Sequence, residues 1–198
     1  MLPSSLTIRP VRASDVPELH AINTYFIENT VLTFVTTPLS YPEFFSKYDS
    51  IRFNRLPYIV AVDASADDPD APIGSVHVSP FRGSQATAYR HTVELSLFCH
   101  SDHTGKGVGK ALLTRLLDVL RRPEEWGEEW IGREWCRDDV RVREVIGVMA
   151  VDDQSEWNGG LGLKEWYERF GFEEVGRLKR VGRKFGRWID TVYLQLSL

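Results

Sequence analysis

His103-Thr-Gly-Lys-Gly-Val-Gly-Lys-Ala-Leu112 sets three glycines and two lysines within ten residues. It lies between a run of strand character ending at Cys99 and an amphipathic helix pattern that carries Val108, Leu112, Leu113, Leu116, Leu117 and Leu120 on one side. Gly105, Gly107 and Gly109 let the backbone approach a ligand and turn several N–H groups toward one point. The helix start adds about half a positive charge from its dipole. Such a turn is an anion site, most naturally for a phosphate or pyrophosphate, with Lys106 and Lys110 at its edge. It is not a P-loop: with Gly109-Lys110 in register, Thr104 stands where the first glycine belongs and Ala111 where Ser or Thr belongs. It is not a dinucleotide fingerprint either, because the third glycine would fall on Lys110 and the loop follows about four strands rather than the first.

Outward from the loop, the pattern predicts a strand over 6–12, a helix from a Ser14 cap to about Thr30, and a second helix opened by the capping box Ser40-Tyr-Pro-Glu43. Strands follow over 57–62 and 73–79, joined by an Asp-rich turn, and a long one over 89–99. Beyond the central helix come a buried strand over 144–151, a helix over 162–170 ended by Gly171, and strands over 173–182 and 188–196. The order β-α-α-β-β-β-α-β-α-β-β is that of one mixed α/β domain spanning the chain. Residues 123–143 look inserted: they are acidic, and Trp126 and Trp130 stand four apart, which predicts a helix packing both rings on the body, with a partner surface or a lid as the other reading.

Composition narrows the class. The chain has 198 residues, a formal net charge of −4 and 26% charged residues. A mildly acidic chain argues against a broad nucleic-acid footprint. No apolar run approaches the roughly 18 residues of a membrane span, and residues 1–10 hold no signal-peptide core. Two cysteines, Cys99 and Cys136, fit a reducing, cytoplasmic setting. Cys99-His-Ser-Asp-His103 packs four potential ligands together, but no second cluster exists to complete a site, so no metal is expected.

The element order, with this loop at its centre, resembles the GNAT superfamily of acyl-CoA N-acetyltransferases. Thr104-Gly-Lys-Gly-Val-Gly109 is similar to that superfamily's coenzyme A loop except at Thr104, where Arg or Gln is usual. Thr30-Val-Leu-Thr-Phe34, Tyr89-Arg-His-Thr-Val-Glu94 and Val181-Gly-Arg-Lys-Phe-Gly-Arg-Trp-Ile-Asp190 are similar to signatures of its phosphinothricin and methionine sulfone or sulfoximine acetyltransferase group.

The resemblance implies a mostly antiparallel sheet flanked by helices, with two strands splayed to hold acetyl-CoA. Leu97, Phe98 and Cys99 would pair with the pantetheine arm, and Gly105, Lys106, Gly107, Val108, Gly109 and Lys110 would take the pyrophosphate. Asn158 is the nearest candidate for an asparagine that contacts coenzyme A. Glu94 is the implied base; a carboxylate in mid-strand among apolar residues needs a reason. Its other reading is a structural ion pair, and His91 is an alternative base or supporting partner. Tyr167 resembles the superfamily's general acid, although His is frequent there in the phosphinothricin enzymes, and a tyrosine on that helix face is also ordinary core.

Arg82 and Arg90 are the implied partners of an amino-acid carboxylate, since a guanidinium matches a carboxylate bidentately. Phe34 and Tyr89 would wall the acceptor, and Lys184 belongs to the hairpin that helps build the pocket and a homodimer contact. The expected activity is direct acetyl transfer to the amine of a small amino-acid-like substrate in a ternary complex. Another amine acceptor, such as a polyamine or an aminoglycoside, and a non-catalytic acyl-CoA-binding module are the alternatives.

Overall fold

The computed structural model describes residues 5–198. A seven-stranded sheet runs in the order β1-β2-β3-β4-β5-β7-β6, with β1 at Leu6–Pro10, β2 at Tyr58–Asp63, β3 at Pro72–Pro80, β4 at Thr92–Cys99, β5 at Glu144–Val151, β6 at Glu173–Lys184 and β7 at Arg187–Ser197. Every neighbouring pair is antiparallel except β4 and β5. A parallel pair needs a crossover, and helix α3 (Val108–Arg121) supplies it together with the residues up to β5.

Strand β2 is buried on both faces, and its alternation separates the two layers. Ile59 and Ala61 join the core built by α3, with Leu112, Leu113, Leu116 and Leu120 fully buried. Tyr58, Val60 and Val62 join the core under α1 (Val16–Asn29) and α2 (Tyr41–Phe53), whose Leu19, Phe44, Tyr48 and Ile51 meet them. The short helix α4 (Gly162–Glu168) lies on the α3 side, through Leu163, Trp166 and Tyr167.

The capping box at Ser40 is present, with Glu43 accepting from the Ser40 backbone N–H at 2.8 Å. The first helix begins differently from the expectation. Ser14 lies inside a 3-10 turn, and Asp15 organises the start by accepting from the Arg12 backbone N–H at 2.7 Å and from Arg9 at 2.7 and 2.8 Å. The β4 strand starts at Thr92 rather than Tyr89, because Thr87–Tyr89 form a 3-10 turn.

The expected helix over 123–143 is absent. That segment is two 3-10 turns, Pro123–Glu125 and Arg133–Cys136. Trp126 and Trp130 still meet, 4.8 Å apart, because the backbone turns at Gly127, whose carbonyl accepts from the Trp130 N–H. Arg115 of α3 lies 5.0 and 5.3 Å from the two ring centroids, a cation–π stack that docks the segment.

Candidate active site

Strands β4 and β5 pair only over Thr92–Leu95 and Glu144–Gly147. Beyond Leu95 and Gly147 they part. Ser96–Cys99 remain paired to β3, and Val148–Val151 to β7, so each keeps a partner on its outer side alone. The gap opens into a cleft of about 270 Å³ lined by Ser96, Leu97, Phe98, Val148, Met149 and Ala150 of the two strands. Asn23, Phe26 and Ile27 of α1, Lys47 of α2, residues 32–35 and Leu163 and Tyr167 of α4 complete the wall. An unpaired strand edge in such a cleft can accept an extended amide-bearing ligand as an added strand.

The glycine loop meets the same cleft from the α3 side. Gly105 and Gly107 hold φ of 73° and 85°, and Gly107 caps α3 in the left-handed region that side chains rarely adopt. A Cβ on Gly109 would stand 3.5 Å from Cys99 Sγ and 3.6 Å from Leu97, so the loop packs directly on the open edge of β4. The first turn of α3 carries no acidic residue, Val108 is buried, and Lys106 and Lys110 are exposed. Strand edge and helix end thus form a continuous track for a ligand with amides at one end and phosphates at the other. The Cys99 thiol is pushed up to about 11 by burial and behaves as a small apolar wall residue.

Glu94 lies on the next-to-last rung of the parallel ladder, opposite Ile146, and lines the cleft. Partial burial raises its pKa above the ordinary carboxylate value, and Arg82 opposes the shift from nearby. No salt bridge to Glu94 forms among the described residues, and Arg82 acts on it only at longer range. Tyr167 of α4 also lines the cleft, 9% exposed, and burial raises its phenol pKa further.

The remaining expected site residues divide. Phe34, Leu97 and Phe98 line the cleft, and Phe98 also stacks edge-on against Phe26 at 5.1 Å. Arg82 is exposed, in left-handed backbone (φ 62°), with its guanidinium 5.4 Å from the Phe81 ring.

Four others lie away from the cleft. Arg90 donates to the Thr87 carbonyl at 3.2 Å, which ties it to its own 3-10 turn. Tyr89 packs edge-on against Phe81 and faces a separate surface concavity with Glu144, Val175 and Tyr193. His91 sits just before β4, its Nδ1 2.8 Å from the Arg141 carbonyl, locked against the end of the inserted segment. Asn158 holds left-handed backbone and donates to Glu165 of α4.

Lys184 is 4% exposed and donates to the Thr33 carbonyl at 2.9 Å. It braces the cleft wall from behind. Beside it, Gly182 meets the Phe34 ring so closely that a methyl group there would overlap it. The reach of the C-terminal hairpin to residues 33–34 is a contact across 151 residues of chain, which local sequence patterns do not report.

Residues 23–134 match the Acetyltransferase (GNAT) family. The chain is 32% identical over 192 residues, 97% of its length and 82% of the relative's, to a phosphinothricin N-acetyltransferase of Alcaligenes faecalis. It is 28% identical over 194 residues, 98% of its length and 95% of the relative's, to an L-methionine sulfoximine/L-methionine sulfone acetyltransferase of Pseudomonas paraeruginosa. Among solved structures, a phosphinothricin acetyltransferase of Sinorhizobium meliloti in complex with AcCoA superposes with a TM-score of 0.76 at 31% identity, covering 98% of this chain and 89% of that one. Split strands, glycine loop and sequence likeness agree, and the chain belongs to the acetyltransferase (GNAT) family.

Proposed function

We propose that this chain is an acetyl-CoA-dependent N-acetyltransferase for a small amino-acid-like amine of the phosphinothricin, methionine sulfone or methionine sulfoximine type. The observation that carries the reading is the parting of β4 from β5 beyond Leu95 and Gly147, with Glu94 at its base and Tyr167 in its wall. The acceptor class follows from the relatives' names.

Acetyl-CoA supplies an acetyl group already activated as a thioester. The open edge of β4 at Leu97, Phe98 and Cys99 fits the pantetheine amides, and the backbone N–H groups of 105–110 fit the pyrophosphate. Thr104 donates its hydroxyl to the Ser101 carbonyl at 2.7 Å, so it shapes the turn rather than reaching a ligand as Arg or Gln would.

An amine attacks only when neutral, and an amino-acid ammonium releases its proton near pH 8 or above. Glu94 takes that proton directly or through one water. Its raised pKa brings donor and acceptor closer together, which a general base needs. Tyr167 keeps its proton throughout the neutral range because burial disfavours the phenolate, so Oη can serve the departing sulfur as a donor.

We also infer one domain, a cytoplasmic setting and a homodimer. Free thiols at Cys99 and Cys136 suit a reducing compartment. The concavity at Tyr89, Val175 and Tyr193 offers apolar surface to a second copy. The test is coenzyme A release from acetyl-CoA across amino acids, polyamines, an aminoglycoside and a short peptide. Turnover confined to the amino acids supports the reading. Turnover on the other amines alone overturns the acceptor class, and none at all with intact acetyl-CoA binding supports a binding module instead.

A further inference from the structure

Lys47 occupies a helix position that the packing of α2 does not explain. Phe44, Tyr48 and Ile51 form the buried stripe of that helix, and Lys47 sits at its margin, three residues from Phe44 and four from Ile51. More than a third of the residue is accessible, yet its ammonium lies among enough protein that burial lowers its pKa. That combination is what a side chain lying in a cleft displays. Lys47 makes no ion pair with a described carboxylate. It is also the sole Lys or Arg among the described residues lining the cleft that holds Glu94.

A second observation points to the same spot. Behind the cleft is a small chamber of about 20 Å³, room for about one water. It shares Asn23, Lys47 and Phe98 with the cleft wall and is closed by Tyr58, Ser75 and His77. His77 is buried, 7% exposed, and its Nδ1 has no hydrogen-bond partner among the described residues. A cation without an ion-pair partner and a ring nitrogen without a hydrogen-bond partner therefore border one small space, otherwise lined mostly by apolar side chains such as Leu19, Ile22 and Phe44. Leaving the buried His77 nitrogen unsatisfied is costly, and a water or ligand oxygen beside it removes the cost, while the accessible Lys47 ammonium is free to turn to an anion in the cleft.

We propose that Lys47 binds an oxyanion of the acceptor and so selects acceptors that carry one at a set reach from the amine, with the chamber behind it receiving one oxygen or its bridging water. This rests on the amino-acid reading of the acceptor given above. It moves the main charge contact off Arg90, which is tied to Thr87. The oxyanion is either the α-carboxylate or an acidic group on the side chain, and both have the same chemistry toward an ammonium.

The test is steady-state kinetics of the full chain and Lys47→Met, which keeps the stem's length, with phosphinothricin, its α-carboxamide and methionine sulfone. We expect KM for phosphinothricin to rise at least about tenfold, the loss of one charge-assisted hydrogen bond. The kcat and the KM for acetyl-CoA should stay within about threefold, and Lys47→Arg should restore part of the loss. A penalty absent with the carboxamide assigns the α-carboxylate, and a penalty absent with methionine sulfone assigns the side-chain anion. Equal penalties on all three, or none, overturn the proposal. If the wild-type chain turns over no amino acid, the acceptor reading falls separately. Calorimetric titration with phosphinothricin then decides this one: binding weakened by Lys47→Met supports it, and equal or absent binding overturns it.

Discussion

Leu95 and Gly147 are the last residues that pair across β4 and β5, and Glu94 stands one rung before them. The carboxylate is thus held by a fully paired stretch of sheet while the residues just beyond it are free to take a ligand. A rigid seat beside an open edge is what a proton acceptor needs to keep its distance from a bound amine.

Glu94→Gln is expected to lower kcat/KM by about 10² to 10⁴, the usual worth of a positioned base. Acetyl-CoA affinity should be unchanged, because the contacts fitted to that ligand lie at 97–110. Since burial raises the Glu94 pKa, wild-type activity should fall with acidity at a pH above the ordinary carboxylate value of 4.5. A pH–rate profile checks this, and a variant that keeps the same acid limb at near wild-type rate would remove Glu94 from the mechanism.

Gly182→Ala should act on the acceptor and spare the fold. The added methyl meets the Phe34 ring, a side chain still 40% exposed that can swing aside, so thermal stability should change little. Phe34 lines the cleft, and its displacement should raise KM for the acceptor several-fold with KM for acetyl-CoA unaltered. An unchanged acceptor KM would show that Phe34 does not touch the acceptor.

Removal of a charge should matter at one ion-paired site and not at another. Asp15 is 3% exposed, pairs with Arg9 at 2.7 Å and also accepts from the Arg12 backbone. Asp15→Ala removes the carboxylate partner of a part-buried guanidinium, which keeps only the Pro10 and Asp70 carbonyls, and leaves the Arg12 N–H without its acceptor; it should cost about 3 kcal/mol in a denaturant titration. Arg122 pairs with Asp118 and Glu125 in solvent. Arg122→Ala should leave the denaturation midpoint where it is.

His77 should make the protein acid-sensitive. Burial, helped by Lys47, lowers its pKa from 6.5 to about 3. The folded state keeps the ring neutral where the unfolded chain would protonate it. Its contribution is complete above about 6.5 and is lost as pH falls toward 3, by up to about 1.4 kcal/mol per pH unit. Between pH 6.5 and 5 this is about 2 kcal/mol of stability in the upper limit. Denaturant titrations at the two pH values, on wild type and on His77→Phe, check it; an equal slope in both would place the sensitivity elsewhere.

The element order and the α3 stripe were legible because long periodic patterns coincide with burial, as at Leu112 and Leu116. Glu94 was legible because a charge in an apolar strand is conspicuous. Trp126 and Trp130 misled: four-residue spacing reads as helix, whereas Pro123, Gly127 and Gly132 favour turns and the rings are held by Arg115 from another element. Lys47 was hidden because a lysine on a helix reads as a solvated face. Only the packing of β3 and α1 beside it reveals that it borders a cavity.

The Lys184–Thr33 bond also sets when the site is completed during synthesis. The acceptor wall is assembled from residues near both ends of the described chain. A nascent chain in which β1 to β4 and the glycine loop have already emerged still lacks β5, the brace and the far wall. Competence for the acceptor is therefore conferred late, when the hairpin leaves the ribosome and folds back over residues made long before.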